Sequence, residues 1–474
     1  MKDTRHRSNP LNLDTFHAKN IPPVYLFDTE FGPHIFIVNR SQIYAIDDEF
    51  SSELKSALAF SGTEQIQYLL EKYQLWTPLS AEEPPPTGFF PLKTLSLSIA
   101  QNCNLGCAYC YAGEGDFGGK IDIMPKEIAL SAINLLLNGI KPGEKVNLAF
   151  LGGEPLINRA VLFYATEFAA EQASERGIKI NFSITSNGTM ITPEDGEFFE
   201  RHGFGVTISI DGIGEVHNRL RPFKSVSKMQ GSYDEIIGRV RPLIDMQNKM
   251  QISARVTVTP ENLNIYETLN ELIRLGFHSV GFSPMLNAPN GKNQLESLEL
   301  EIMLKRMIEC GQAFERYITE GKRYPFFNMV SAMQEIHRGT HRPYPCGAGA
   351  GYLGVSAAGN LFLCHRFVND KDGAMGNIEG GVDTEKQAAW ISGWHVNVQR
   401  PCKSCWARYL CGGSCYYEVI HRGRPACNYI LGWLHYCLQA YVRLLEKRPD
   451  YFGVQSVMKN HREGNVKSES NPTP

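Results

Sequence analysis

The sequence predicts an α/β protein built around parallel strands, and two observations support this fold class. Between Leu92 and Met285, six segments with strand patterning alternate with helical segments, as in β-α units joined by crossover helices. Ten of the twelve cysteines form two groups, one just after the first of these strands and one in the last third of the chain. Such strands curl into a full or partial barrel whose chemistry lies at their carboxyl ends. We therefore expect the functional residues at that edge.

Length and composition exclude several classes of protein. At roughly 150 residues per domain, 474 residues suggest about three domains. Hydrophobic residues make up 43% and charged residues 20%, which excludes a collagen-like or wholly disordered chain. A formal net charge of -3 provides no general attraction to nucleic acid or to an anionic membrane. No apolar run approaches the ~20 residues that span a bilayer, and residues 1–20 lack the apolar core of a signal peptide, so we expect a cytoplasmic protein.

The segment before the barrel is predicted to be a small N-terminal α+β domain over residues 1–83. Apolar runs at 34–38 and 42–46 flank three polar residues and predict a β-hairpin. Apolar residues at helical spacing then predict two helices, at 51–58 and 64–73. Three consecutive prolines predict a stiff linker over 84–91.

The barrel is predicted over residues 92–285. Its six strands are expected at 95–100, 146–151, 179–185, 206–210, 252–259 and 279–283. Helices between them are expected at 126–137, 160–173, 233–246 and 265–275. The rest of the chain is predicted as a bridging helical region over 286–341, a cysteine-rich domain with little periodicity over 342–458 and a disordered tail over 459–474. Because the apolar runs of the cysteine-rich domain are too short for a large core, we expect its folding to depend on metal.

The loop after the first barrel strand carries Cys103, Cys107 and Cys110 in a C-x3-C-x2-C pattern. Without an export signal, clustered cysteines indicate metal ligands before disulfides. Three thiolates on one loop can hold three irons of a 4Fe–4S cluster and leave the fourth iron open to another ligand. A zinc knuckle and three buried thiols are the alternatives.

The run from Cys103 to Tyr111 resembles the signature of the radical S-adenosylmethionine (SAM) enzymes. Segments ending the second, third and fourth strands resemble further elements of that family: Gly152-Gly153-Glu154-Pro155, Ser186-Asn187-Gly188 and Ser209-Ile210-Asp211-Gly212. The resemblance implies a partial (β/α)6 barrel and SAM bound to the open iron. The residues that it implies around SAM are Gly152, Gly153 and Glu154 at the amino group, Ser186, Asn187, Ser209 and Asp211 at the ribose and methionine parts, Arg255 at the carboxylate and Tyr109 near the adenine. Taken singly, such glycines are typical of turns and Glu154 of a surface carboxylate.

The family resemblance also implies the chemistry. A reduced cluster cleaves SAM into methionine and a 5′-deoxyadenosyl radical, which removes hydrogen from an unactivated carbon. The protein holds the radical in place and excludes water. An electron donor such as flavodoxin or ferredoxin is implied as a partner.

Seven cysteines follow in the C-terminal third: Cys346, Cys364, Cys402, Cys405, Cys411, Cys415 and Cys427. A zinc ribbon would use four and leave three unexplained, whereas seven thiolates fit two iron–sulfur clusters. The pattern resembles the SPASM extension of radical SAM peptide maturases. That resemblance implies one auxiliary 4Fe–4S cluster on Cys402, Cys405, Cys411 and Cys427 and another on Cys346, Cys364 and Cys415, with Gly359 turning the hairpin before Cys364 and an unassigned fourth ligand. Cys310 and Cys437 lie on helical stretches and are expected to be buried structural thiols.

The residue after Cys364 bears on the substrate. Sulfatase-maturing relatives carry Asp at the position of His365, so the sequence disfavours oxidation of a side chain to formylglycine. The run 364–368 resembles maturases that join a Cys sulfur to a carbon. His365 itself fits either a catalytic role or a hydrogen bond to a cluster.

The N-terminal unit resembles the peptide-recognition domain of ribosomal-peptide maturases, which binds a leader as an added strand. A winged-helix or capping domain is the alternative. The whole chain resembles the family that matures the small subunit of quinohemoprotein amine dehydrogenase by forming thioethers between Cys and Asp or Glu.

Three hypotheses therefore remain open. The first is thioether crosslinking of a peptide or small protein subunit. The second is oxidation or epimerisation of a peptide with the same cofactors. The third is a zinc-stabilised peptide-binding scaffold without enzymatic activity. The sequence identifies no catalytic base.

Overall fold

A computed structural model describes residues 24–60, 63–75, 90–225, 231–288 and 291–453. The predicted tail and all but the last two residues of the predicted linker lie outside the described residues. Within these ranges no helix has the length and apolar character needed to cross a membrane.

The N-terminal unit is a three-stranded antiparallel sheet followed by two helices. Its elements are β1 (Val24–Thr29), β2 (Gly32–Ile37), β3 (Gln42–Ala45), α1 (Asp48–Phe60) and α2 (Thr63–Lys72). The predicted hairpin is confirmed as the β2–β3 pair, in which Ile35 lies opposite Tyr44. The sequence did not indicate β1, because Asp28 and Thr29 end its short apolar run.

The two faces of this small sheet pack against different partners. Ile35 and Ile37 form a separate small core with apolar residues of α1 and α2. Phe36 points the other way and belongs to the large core of the molecule. Tyr25 stacks on Trp406, with 3.8 Å between the ring centroids. The N-terminal unit is therefore docked onto the cysteine-rich region.

Six parallel strands form the barrel wall in the order β10–β9–β8–β7–β6–β4, which confirms all six predicted strands. The strands are β4 (Thr94–Gln101), β6 (Lys145–Gly152), β7 (Lys179–Ser186), β8 (Gly205–Ser209), β9 (Gln251–Val258) and β10 (Ser279–Pro284), and β5 (Asp122–Ile123) pairs with β4. Leu95, Leu97 and Ile99 of β4 join the large core, whereas Ser96 and Ser98 are buried on the opposite face. The barrel is partial, because β4 pairs on its far side with a C-terminal strand and not with β10.

The helices between the strands are α3 (Lys126–Leu137), α4 (Arg159–Glu175), α5 (Pro193–His202), α6 (Glu215–Leu220), α7 (Ser232–Met246) and α8 (Ile265–Arg274). All four predicted helices are confirmed. The two that were not predicted, α5 and α6, are short. A signal for α5 was present, because Thr192 and Asp195 form a capping box around Pro193 at the first helical position.

The bridging region contains α9 (Ser297–Thr319) and α10 (Phe327–His337). Beyond it the C-terminal region continues the barrel sheet. Its strands are β11 (Tyr352–Val355), β12 (Asn360–Phe362), β13 (Ala374–Asn377) and β14 (Gly381–Val382), and its helices are α11 (Thr384–Trp394), α12 (Arg408–Cys411), α13 (Tyr416–Arg422) and α14 (Cys427–Lys447). β11 pairs in parallel with β4, with Tyr352 opposite Thr94.

Two expectations for the cysteine-rich region are wrong. The region has a strong helical period in α14, which runs for 21 residues and packs against α9 and β1. Its apolar side chains also join the large core of the barrel, so they do not form a separate small one. Short runs of sequence suffice there because β11 and α14 extend a sheet and a core that already exist.

Candidate functional site

The cysteine loop begins where the end of β6 is pressed against the end of β4. The backbone N–H of Gly153 donates to the carbonyl of Ala100 at 2.8 Å, and that of Glu154 to Asn102 at 2.8 Å. A Cβ on Gly153 would lie 2.2 Å from the carbonyl oxygen of Asn102. Glycine is therefore required at this contact, which places Glu154 next to the cysteine loop.

Cys103, Cys107 and Cys110 lie together at the barrel rim, as the sequence predicted, and their thiols interact electrostatically. Burial raises the pKa of the Cys107 thiol to about 12 and also raises the pKa of Cys103. Thiolates here need a neighbouring cation, which a metal cluster supplies. The side-chain amide of Asn187 donates to Cys103 Sγ at 3.6 Å. This donor set of clustered thiols, one buried and two half-buried, fits an iron–sulfur cluster.

Glu154 is fully buried and accepts three hydrogen bonds. The donors are the backbone N–H groups of Leu156 at 3.1 Å and Asn187 at 2.7 Å, and the Ser186 hydroxyl at 2.9 Å. Burial raises the pKa of Glu154, although these bonds oppose the shift. The structure thus brings together Glu154, Ser186 and Asn187, which the sequence singled out separately, and the two later residues orient the carboxylate.

Asn187 also ties the third strand to the cysteine loop. Its amide donates to Asn104 Oδ1 at 2.8 Å, and its Oδ1 accepts from the Thr189 hydroxyl at 2.7 Å. Asn104 Nδ2 closes the triangle on Thr189 Oγ1 at 2.8 Å. Sequence reasoning missed Asn104 and Thr189, although Asn104 stands inside the cysteine motif.

Asp211 is fully buried at the end of β8, where the Tyr109 hydroxyl donates to it. The backbone N–H of Thr257 donates to its Oδ1 at 2.8 Å, and Arg221 Nη1 lies 3.2 Å from its Oδ2. Arg221 Nη1 also donates to the Tyr109 hydroxyl at 2.7 Å. Burial alone would lower the pKa of Arg221, but Cys107 and Asp211 raise it above its ordinary range. Tyr109 is therefore fixed by its hydroxyl.

No sequence motif pointed to Arg221. The only signal was its position, ten residues after Asp211 and directly before a proline. The other predicted residues of this edge are Ser209 and Arg255, which lie opposite each other in the β8–β9 register. A Cβ on Gly281 of β10 would lie 2.9 Å from Arg255 Nη1, so the guanidinium reaches over the neighbouring strand. Within the described ranges no carboxylate pairs with Arg255.

The C-terminal cysteines fall into the two sets that the sequence analysis gave. The four-cysteine group, Cys402, Cys405, Cys411 and Cys427, lines one cavity of about 110 Å³, and its thiols interact electrostatically. Burial raises the pKa of Cys405 to about 11. Arg424 is the cation that opposes the shift at Cys402 and Cys427. Four thiols around an enclosed space fit a cluster with four protein ligands.

The three-cysteine group is Cys346, Cys364 and Cys415, whose thiols interact electrostatically with one another. Burial raises the pKa of Cys364 to about 12. Gly359 has a φ of +84° in the turn between β11 and β12, where the predicted hairpin lies. All twelve cysteines are in the described part of the chain, and the remaining two, Cys310 and Cys437, are fully buried on α9 and α14. No cysteine is therefore left to serve as a fourth ligand of this group.

His365 lies between the loop cysteines and the three-cysteine group. Its Nδ1 is 2.8 Å from the Tyr352 hydroxyl, which is 3.0 Å from Ser96 Oγ. Its ring centroid is 5.7 Å from that of Tyr111, the residue that follows Cys110. Burial lowers the pKa of His365 to about 4. Sequence reasoning found His365 but missed Tyr111 and Tyr352.

A single metal ion is a different case from a cluster. Across residues 24–453, apart from the undescribed gaps, no three His, Cys, Asp or Glu side chains converge as the ligands of one metal ion do. In a 4Fe–4S cluster each thiolate binds a separate iron.

Comparison with known proteins identifies the barrel. Residues 97–290 match the sequence model of the Radical SAM superfamily. The serine-type anaerobic sulfatase-maturating enzyme of Klebsiella aerogenes is 22% identical over 351 residues, which cover 71% of this chain and 82% of that enzyme.

Two solved structures are similar in fold. Native anSMEcpe with bound AdoMet has a TM-score of 0.60 at 21% identity and covers 76% of this chain and 100% of that chain. Streptococcus suis SuiB bound to the precursor peptide SuiA has a TM-score of 0.50 at 13% identity and covers 86% of this chain and 97% of that chain.

The fold class predicted from the sequence is confirmed: a partial (β/α)6 barrel with a cysteine-rich C-terminal region and a small N-terminal α+β unit. Clustered thiols at the barrel rim agree with the matched family. Residues 97–290 form a radical SAM domain, and the protein is a radical SAM enzyme whose cofactors are S-adenosyl-L-methionine and 4Fe–4S clusters.

Proposed function

We propose that the enzyme modifies a peptide or small protein and forms thioether bonds between Cys and Asp or Glu side chains of that substrate. The observation that carries the proposal is the three-cysteine group, which lies near the cysteine loop of the barrel and has no fourth cysteine. A cluster held by three thiolates keeps one iron for another ligand, and a substrate thiolate is such a ligand. As the substrate we propose the small subunit of quinohemoprotein amine dehydrogenase.

The residues of this chain have distinct proposed roles. Cys103, Cys107 and Cys110 hold the cluster that binds SAM, which supplies a 5′-deoxyadenosyl radical when both are present. Seven C-terminal cysteines hold two auxiliary clusters in the sets described above. The SAM contacts are proposed on Tyr109, Gly152, Gly153, Glu154, Ser186, Asn187, Ser209, Asp211 and Arg255.

Two arginines have proposed roles in binding SAM. Arg255 is a cation on the face of β9 opposite the buried Ala254 and Val256, and a guanidinium there suits a carboxylate ligand. Arg221 holds Asp211 and the Tyr109 hydroxyl, and thereby fixes the orientation of the tyrosine ring. An external donor such as flavodoxin or ferredoxin is proposed to reduce the SAM cluster. Clustered thiolates of this kind are stable in a reducing compartment, which supports a cytoplasmic location.

The N-terminal unit supports a peptide substrate. Among the described strands, β3 pairs with β2 on one side only. A groove of about 400 Å³ runs along β3 and is lined by Gln42, Tyr44, Arg338 and Glu446, among others. An extended peptide that joins an open strand edge gains backbone hydrogen bonds there. We propose this edge as the binding site for a leader segment of the substrate.

Sulfatase maturation is the alternative that the comparisons favour, because the Klebsiella relative has that name. His365 stands against it, since the sulfatase-maturing pattern has Asp at that position. Its Nδ1 is engaged with Tyr352. We therefore place side-chain oxidation second.

Mass spectrometry of a co-expressed peptide tests the proposal. Each thioether removes two hydrogen atoms from the peptide and protects one cysteine from alkylation. Epimerisation leaves the mass unchanged, and formylglycine formation consumes a cysteine or serine without joining two residues. A Cys364→Ala enzyme should cleave SAM but leave the peptide unmodified. Modification that never joins two residues would contradict the proposal.

A metal analysis tests the cofactor content. About twelve irons per chain are expected from three 4Fe–4S clusters. Stoichiometric zinc in place of iron would instead support the scaffold hypothesis.

A further inference from the structure

Arg366 lies where the C-terminal sheet meets the cysteine loop of the barrel. It belongs to a 3-10 turn, His365–Phe367, that directly follows Cys364. Its side chain is 17% exposed, and that of its partner Glu418 is 6% exposed. Charges so far from water have to be balanced by the groups around them. The contacts of Arg366 are therefore informative.

The guanidinium bonds to a carboxylate and to a cysteine at the same time. Arg366 Nη1 donates to Glu418 Oε1 at 2.5 Å and to Cys415 Sγ at 3.8 Å. Arg366 Nε and Glu418 Oε2 are buried and have no hydrogen-bond partner among the described residues. Because a buried pair stabilises a fold only when its remaining hydrogen-bonding groups are satisfied, stability alone explains this pair poorly.

Two tyrosines cover the guanidinium. Its central carbon lies 4.4 Å from the ring centroid of Tyr417 and 5.2 Å from that of Tyr111. Tyr111 directly follows Cys110, so Arg366 touches residues of both the loop cysteines and the three-cysteine group. These contacts hold the cation in one position, where its charge acts on the nearby sulfurs.

The four-cysteine group has a half-buried arginine of a different kind. Arg424 donates to the backbone carbonyl of Gly413 and to the side-chain carbonyl of Gln399, both of which are neutral. Each C-terminal cysteine group thus has an arginine beside it. Within the described ranges, the one at the three-cysteine group is paired with a carboxylate and the one at the four-cysteine group is not.

We propose that Arg366 raises the reduction potential of the metal centre held by Cys346, Cys364 and Cys415, and that Glu418 limits this effect. The inference rests on the proposed function, because it takes these cysteines as iron ligands. A nearby cation stabilises the reduced, more negative form of a cluster, and a nearby anion destabilises it. Arg366 is a positioning residue, since it acts on the centre through the charge beside Cys415.

Two substitutions test the proposal with opposite expected signs. In the reconstituted full-length protein, Arg366→Gln should lower the midpoint potential of this centre, because Glu418 is left without its cation. Glu418→Gln should raise it, because Arg366 is left without its anion. Electron paramagnetic resonance during a redox titration measures both shifts. Arg366→Lys keeps the charge and should stay closer to the unmodified protein than Arg366→Gln.

The chain offers a matched control. Arg443 and Glu315 form a comparably buried pair at 2.6 Å, with exposures of 19% and 14%, between α14 and α9. Arg443→Gln should leave all three midpoint potentials unchanged. Arg424→Gln should lower the potential of the four-cysteine centre alone.

Unchanged potentials in Arg366→Gln and Glu418→Gln, or shifts of the same sign, would overturn the inference. If Arg366→Gln loses iron, the sign of the shift in Glu418→Gln decides. Failure of the proposed function has a different signature: replacing Cys346 and Cys364 with Ala would then leave the iron content of the chain unchanged.

Discussion

The two C-terminal cysteine groups differ in how the fold completes them. The four-cysteine group comes from one stretch, residues 402–427, and surrounds its own enclosed cavity. The three-cysteine group joins Cys346, Cys364 and Cys415 from three separate places and lies against residues of the barrel loop. A closed set of four ligands suits a cluster that only transfers electrons, whereas an incomplete set beside the barrel suits one that meets substrate. Similar residue types thus have different surroundings, and the roles proposed for the two groups rest on that difference.

The largest expected effect is on SAM cleavage, which should depend on the cysteine loop at the barrel rim and not on either C-terminal cysteine group. Cys107→Ala should abolish formation of 5′-deoxyadenosine from SAM, because the cluster with the open iron loses one of its three protein ligands. Cys364→Ala and Cys405→Ala should retain SAM cleavage. Chromatography of the reaction products after reduction measures the difference. Loss of SAM cleavage in all three variants alike would remove the distinction between loop and auxiliary groups.

Iron content sharpens the comparison between the two C-terminal groups. Cys405→Ala and Cys346→Ala should each lose about four irons per chain after anaerobic reconstitution, while the other clusters remain. Cys437→Ala is the control, because that thiol is buried on α14 away from both groups. An equal loss of iron in Cys437→Ala would show that the losses reflect misfolding.

A glycine substitution tests the close contact between the end of β6 and the cysteine loop. Gly153→Ala puts a Cβ 2.2 Å from the Asn102 carbonyl and should destabilise the protein by about 1–3 kcal/mol. Gly238→Ala is the matched control on α7, where a Cβ meets nothing within 4 Å. It should be neutral or stabilise by up to about 1 kcal/mol. Thermal unfolding of the metal-free protein measures both, and equal effects would argue against the close contact.

The smallest effect is expected at Tyr109. Tyr109→Phe removes the hydroxyl that Asp211 and Arg221 share and should cost about 0.5–1.5 kcal/mol of folding stability, because Asp211 and Arg221 still bond to each other. SAM affinity should fall modestly, since the ring keeps its place but loses its anchor. Denaturant unfolding and equilibrium binding of SAM measure these effects. Tyr233→Phe serves as a control on α7, and the same loss of affinity there would contradict the assignment.

Much of the barrel was predictable because its strands and helices have clear local periods. The cysteine loop was equally predictable, since its three thiols stand within eight residues. Arg221 and Tyr352 were not, because each also bonds to a partner far away in the chain. Arg221 bonds to Tyr109 as well as to Asp211, and Tyr352 bonds to Ser96 as well as to His365. The strands beyond residue 341, where the sequence shows little periodicity, were missed for a related reason: β11 is four residues long and becomes a strand by pairing with β4.

By itself the sequence determined the six β-α units, the three-cysteine loop and the polar residues at the strand ends, because each depends on spacing along the chain. The two C-terminal cysteine sets came from a family resemblance, since Cys415 stands between Cys411 and Cys427 in the sequence. Tertiary structure alone decided which neighbours these residues have. The parallel pairing of β11 with β4 brings Cys364 and Arg366 to the loop that carries Cys110, more than 250 positions earlier in the sequence. Charge balance around a buried sulfur depends on distances through space, and those distances exist only once the sheet has formed.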